Sequence, residues 1–222
     1  MIVVHHLEAS RSQRVLWLLE ELGLEYEVQR YDRDRKTRLA PPSLRAVHPL
    51  GKSPVITDGG ITVAETGAIV EYLIGTYGKG RLIPPEGTDE RRRYTYWLHH
   101  AEGSAMPFLV MKLVFDEMPK QAPFVLKPLM RAIGNKVGDA FLDPNLGANI
   151  RFWEDALANS AWFAGDAPTG ADIMMSFPIE AANTRGLLRG NYPRLNAFLA
   201  AIHARPAWQR ALERGGPYKM GA

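Results

Sequence analysis

The sequence predicts two domains in series, an α/β domain followed by an all-helical one. Strand and helix signals alternate through the first eighty residues, a Pro/Gly-rich stretch interrupts them at 79–88, and helical periodicity alone governs the rest of the chain. At 222 residues, with 46% hydrophobic and 23% charged residues, the chain has the length and composition to bury a core in each.

MIVVHHL, at the start, is a short apolar run suited to a buried strand. Val15, Leu18, Leu19 and Leu22 recur at i, i+3, i+4 and i+7, an amphipathic helix that Gly23 closes. EYEVQRY reads as a second strand, brought beside the first by a right-handed crossover. An irregular helical stretch with Pro41, Pro42 and Pro49 leads to PVITD and ITVAE, a hairpin turned at Gly59-Gly60. Thr66 to Tyr77 is helical and stops at Gly78. The order is thus βαβαββα over residues 1–80, and the helical domain occupies 89–222. In the latter, Tyr94, Trp97, Leu98 and Ala101 share a face until Pro107 bends or ends the helix. Leu195, Phe198, Leu199 and Ile202 make a second stripe between Pro193 and Pro206.

A net charge of +3 is too small to suggest nucleic acid without a clustered face. The densest run, Arg91-Arg92-Arg93, comes directly after Asp89-Glu90 and reads as a solvated helix end. The first residues carry no basic leader, and later apolar stretches break well short of the roughly 20 residues a spanning helix needs. The expectation is a cytoplasmic protein with neither a nucleic-acid nor a membrane partner. With no cysteine, no thiol of its own can be nucleophile, redox centre or metal ligand. The histidines offer no metal site either. His5-His6 point to opposite faces of a strand, and His99-His100 are too close in sequence to share a helix face.

Three places could carry chemistry. Ser10-Arg11-Ser12-Gln13 has the S-x-x-Q spacing of a capping box, with Ser10 as N-cap. Capping does not exhaust a hydroxyl, and an anion placed there would meet the positive end of the helix dipole. Ser12 lies roughly 200° around an ideal helix from Ser10, so the two cannot face one anion if both are helical. Ser53-Pro54 opens the third strand. If that bond is cis, the Ser53 backbone turns outward and can pair with an extended peptide. Glu65-Thr66 stands where a strand ends and a helix begins. It is either a cap served by Thr66 or a clamp for an α-carboxylate and an α-ammonium. Thr169-Gly170-Ala171-Asp172 is a further capping box, read as structural.

SRSQR, HPLGKSPVITD and AETGAIVEYL occur in one order, and together they resemble the cytosolic glutathione S-transferase family in its serine-type, bacterial-like, theta-related branch. WFAGDAPTGADIMMS is similar to the family's helix-starting motif and RPAWQRAL to its closing segment, so the resemblance spans nearly the whole chain. It implies a thioredoxin-like N-terminal domain and a C-terminal helical bundle. It also implies glutathione as co-substrate, no metal, a homodimer, and a small apolar electrophile as second substrate. Ser10 matches the serine that hydrogen-bonds the glutathione sulfur, with the Arg11 backbone N–H beside it as a second donor. Lys52 matches a residue near the glycyl end, and Ser53-Pro54 the cis step that pairs with the cysteinyl backbone. Glu65 and Thr66 match the pair that holds the γ-glutamyl group. Glu102, in HHAEGS, resembles an acidic residue that reaches the partner subunit's glutathione. Ser53 stands where an apolar residue is usual, and Thr66 where serine is commoner.

Met106, Phe108, Met111 and Phe115 are candidates for an electrophile pocket, with the hydrophobic core as the alternative fate of each. The implied activity is conjugation of the glutathione thiolate, with hydroperoxide reduction as a related possibility. The competing reading is a transferase-like binding protein without turnover.

Overall fold

The computed structural model describes residues 1–34, 36–37, 39–216 and 218, so Pro217 and residues 219–222 of the expected helical domain lie outside the described residues. The apolar run at the start forms β1 (Ile2–Leu7), which is flanked on both sides within a four-stranded sheet. β2 (Tyr26–Tyr31) pairs with it in parallel, Ile2 opposite Tyr26 through Leu7 opposite Tyr31. β3 (Val55–Asp58) pairs on the other side antiparallel, and β4 (Ile61–Ala64) closes the edge, giving the order β2-β1-β3-β4. Around the sheet lie α1 (Ser12–Leu22), the short α2 (Pro42–Val47) and α3 (Thr66–Tyr77). This is the thioredoxin-like βαβαββα arrangement that the resemblance implies.

α1 ends as its sequence requires. Gly23 adopts a left-handed φ of 65°, and its N–H returns to the carbonyls of Glu20 and Leu19. The stretch expected as a linker is held in place, because Gly170 N–H donates to the Leu82 carbonyl at 2.9 Å and Leu82 and Ile83 pack on the core.

Beyond it every element is helical: α4 (Asp89–His100), α5 (Met106–Gln121), α6 (Lys127–Val137), α7 (Asp143–Ala156), α8 (Gly170–Thr184), α9 (Pro193–His203) and α10 (Pro206–Gly215). Pro107 does not end the helical run, one of the two outcomes the sequence offered. Instead a π-turn, Ala101–Ala105, joins α4 to α5, and a second, Gly138–Leu142, joins α6 to α7. Each precedes a helix with proline in its first turn, Pro107 and Pro144. A proline there has no N–H to give and its ring crowds the carbonyl four residues back; a locally widened turn accommodates both. α8 starts as predicted. The Thr169 side chain accepts from the backbone N–H of Ala171, and Asp172 Oδ2 accepts from Thr169 N–H at 2.8 Å.

One continuous core runs through both parts of the chain, from Ile2 and Val4 through the α1 leucines to Trp153, Phe198 and Trp208. Trp17 of α1 meets Trp208 of α10 edge-to-face at 5.3 Å.

Candidate active site at the start of the first helix

The residues singled out in the sequence converge where β1 hands over to α1. Ser10 Oγ accepts from the Ser12 backbone N–H at 3.3 Å, the cap contact expected of it, but the reciprocal Gln13 arm of the capping box is absent. Arg11, between the two serines, is in helical conformation and makes no side-chain cap of its own. The Gln13 amide is buried without a partner, so it does not reach back. Because Ser10 precedes the helix, the two serine hydroxyls meet at 2.7 Å, and the 200° separation does not apply. Ser12 Oγ also lies 2.8 Å from His6 Nδ1. Burial first, then the nearby Arg30 charge, lowers the His6 pKa to about 4, so the imidazole is neutral near pH 7.

The Ser53–Pro54 bond is cis. Ser53 Oγ donates to the His5 carbonyl at 2.9 Å and lies 3.4 Å from Ser10 Oγ, so these two segments form one wall. Lys52 beside it is exposed. Thr66 does not cap α3 either; Glu65 is the cap residue, and Thr66 Oγ1 accepts from Arg14 Nη2 at 3.4 Å. Among the described residues, positive φ outside glycine occurs at Ala9 (46°), Glu65 (71°), Lys79 and Leu82. Two of these adjoin Ser10 and Thr66. Such conformations cost about 1–3 kcal/mol each and concentrate at functional sites.

Arg14 was not singled out in the sequence, yet it ties the site together. Its guanidinium is fully buried. It donates to the Met174 carbonyl at 2.7 Å, to Glu102 Oε1 at 2.5 Å and to Thr66. Burial lowers its pKa, and the Glu102 charge works against that. Arg11 takes the other Glu102 oxygen at 3.0 Å, so both carboxylate oxygens are engaged within this chain. Phe177 of α8 lies under both guanidinium groups, 5.9 Å from Arg11 and 5.1 Å from Arg14. In the sequence Arg14 stands one residue before the apolar stripe of α1, a position that by itself does not mark it out.

The electrophile-pocket candidates divide. Met106 is buried in the common core. Phe108, Met111 and Phe115 are half-buried and spaced i, i+3, i+7 along α5; Phe108 packs against Phe141 with ring centroids 5.7 Å apart. Phe115 lines a cleft of about 450 Å³ between α5 and α6 with Lys112, Pro119, Lys127 and Arg131. That cleft contains neither Ser10 nor Glu65. Among the described residues no group of three or more His, Cys, Asp or Glu side chains could hold a metal ion, and no helix is long and apolar enough to cross a membrane.

Residues 1–74 match the family model "Glutathione S-transferase, N-terminal domain", and residues 123–206 match "Glutathione S-transferase, C-terminal domain". Glutathione S-transferase 3 of Schizosaccharomyces pombe is 36% identical over 214 residues, covering 96% of this chain and 88% of that one. A solved glutathione S-transferase from Actinobacillus pleuropneumoniae superposes with a TM-score of 0.78 at 32% identity, covering 99% of this chain and 95% of that one. A second solved family member, from Pseudomonas fluorescens and described with two glutathione bound, gives a TM-score of 0.72 at 26% identity over 96% of this chain and 92% of its own. With its two domains matched and a relative of this similarity along nearly its whole length, the chain belongs to the glutathione S-transferase family and is an enzyme of that kind.

Proposed function

We propose that this transferase is of the serine type, that Ser10 is the ligand of the glutathione sulfur, and that the thiolate so formed attacks small apolar electrophiles. The single observation that carries the reading is the wall formed at the start of α1 by Ser10 and the cis Ser53–Pro54 segment, 3.4 Å apart at their hydroxyls. A thiol of pKa near 8.5 is only about 3% ionised at pH 7. Lowering it by about two units takes roughly 2.7 kcal/mol. A hydroxyl hydrogen bond to a charged acceptor supplies about 1.5–3 kcal/mol and the helix terminus about 0.3–1 kcal/mol, so no metal is required.

In this reading Arg11 adds a backbone donor near the sulfur, and Lys52 faces the glycyl carboxylate. Ser53 and Pro54 pair with the cysteinyl backbone, while Glu65 and Thr66 take the γ-glutamyl end. Glu102 keeps Arg11 and Arg14 in place beside Thr66, a role that its two ion pairs support better than contact with a partner subunit's glutathione. Phe108, Met111 and Phe115 form the apolar surface of α5 against which the electrophile rests, and Met106 supports it from the core. The protein acts as a cytoplasmic homodimer, with residues 1–80 holding glutathione and 89–222 completing the second pocket.

The test is retention on immobilised glutathione, followed by turnover of a chloronitrobenzene, an epoxide and an organic hydroperoxide. Turnover of the first two is expected; turnover of the hydroperoxide alone would make the enzyme a peroxidase. Ser10→Ala with unchanged conjugation would remove Ser10 from its assigned role.

A further inference from the structure

Behind Ser10 a chain of hydrogen bonds runs into the protein. Ser10 Oγ and Ser12 Oγ are 2.7 Å apart, and Ser12 Oγ and His6 Nδ1 are 2.8 Å apart. Ser12 is fully buried and His6 nearly so, which makes the far end of the chain blind. Each hydroxyl has one hydrogen to give, so the state of the imidazole decides which way the whole chain points.

That state is fixed by the surroundings. Arg30, the register partner of His6 across β1 and β2, is the charged group facing it, and together with burial it keeps the ring neutral. The remaining contacts come from Ser12 on α1 and the Gly215 backbone at the end of α10. Gly215 lies against the ring, an added Cβ there falling 3.5 Å from His6 Cε1, and its backbone favours the protonated form, the effect of a carbonyl acceptor; with the one N–H of the neutral imidazole assigned to it, Nδ1 is left without a hydrogen. Nδ1 therefore meets Ser12 as an acceptor. Ser12 donates to Nδ1, and the Ser12 oxygen accepts the hydrogen of Ser10. The alternative acceptor for that hydrogen, Ser53 Oγ, is farther away at 3.4 Å.

We infer that His6, acting through Ser12, turns the Ser10 hydrogen away from glutathione and so is a positioning residue that restrains ionisation of the bound thiol; this rests on Ser10 being the sulfur ligand. At rest Ser10 presents a lone pair, which accepts an S–H and favours the thiol. A thiolate needs the opposite arrangement, with Ser10 O–H directed at sulfur. Ser10 must then give up its bond to Ser12, or the chain must reverse at the expense of the Gly215 contact.

The experiment is an ultraviolet titration of bound thiolate in the full-length wild type and in Ser10→Ala, Ser12→Ala and His6→Asn. Glutathione affinity is measured by calorimetry at a pH where the thiol is protonated. Ser12→Ala removes the inward acceptor. His6→Asn keeps a partner for Ser12 at the Nδ1 position, but one that can donate as well as accept. Both variants are expected to lower the thiol pKa by about one unit, a tenfold gain in ionisation, while Ser10→Ala raises it. If Ser10→Ala raises the pKa but the other two leave it unchanged or raise it, the inference is overturned and the role of Ser10 stands. If Ser10→Ala has no effect, the assignment of the sulfur ligand falls and the inference falls with it.

Discussion

Arg14 shows how much one side chain can carry at this site. A fully buried guanidinium is tolerable because Glu102 faces it at 2.5 Å and two further oxygens accept from it. Removing the partner of a buried ion is costlier than never having had the pair, on the order of 3 kcal/mol. Glu102→Ala is therefore expected to lower the urea midpoint by that equivalent, and Glu102→Gln, which keeps an acceptor, by clearly less; equal losses would show that charge plays no part. His6 gives a second expectation. Its folded pKa of about 4 lies below the ordinary 6.5, so between those values the unfolded chain binds the extra proton and stability falls as pH falls. Asparagine does not titrate. The stability advantage of wild type over His6→Asn should shrink by about 3 kcal/mol between pH 7 and pH 4, as read from denaturation curves at each pH. Ser10, Ser53-Pro54 and Glu65-Thr66 stand out as candidates in the sequence because their order along the chain is informative even when each pair is ambiguous. Arg14 and His6 were not, since a lone arginine next to an apolar stripe and a histidine on a strand acquire meaning only from the groups that fold against them.

Among the elements, the periodic ones were readable and the junctions were not. The stripes of α1, α4 and α9 and the Gly59-Gly60 hairpin arise from local pattern alone. The two π-turns depend on what the helix gains by continuing past Pro107 and Pro144, a tertiary benefit that no local window contains. At the N-terminal domain Ser10 keeps its contact to the Ser12 N–H but lacks the Gln13 arm, and Thr66 is engaged by Arg14 instead of capping, whereas the Thr169–Asp172 box formed in full. That box makes a graded test. Thr169→Ala loses a cap hydroxyl, worth about 1 kcal/mol. Asp172→Ala also strands the buried Phe163 N–H, bound to Oδ1 at 2.8 Å, and should cost about 3 kcal/mol. A thermal melt in which the two variants coincide would show that the Phe163 bond contributes nothing.

Across the whole molecule, the two parts distinguished by pattern share one core and so should not unfold apart. Trp208 of α10 packs on Trp17 of α1, and Arg205 holds Glu21 through paired contacts, one of them 2.8 Å. Trp208→Ala is expected to cost about 3–5 kcal/mol and to lower the far-ultraviolet and near-ultraviolet dichroism midpoints together. Separate midpoints would mean that the domains are thermodynamically independent. Gly215, at the end of α10, lies so close behind α1 that an added Cβ would come within 2.6 Å of Gln13 Oε1 and 2.8 Å of Leu16 Cδ1. The back wall of the serine helix is thus supplied by a segment that leaves the ribosome long after that helix does. At ordinary translation rates the interval is roughly 10–40 s, during which the nascent N-terminal half has its serines but lacks the surface that packs behind their helix. Activity should appear on stalled nascent chains only once α10 has emerged.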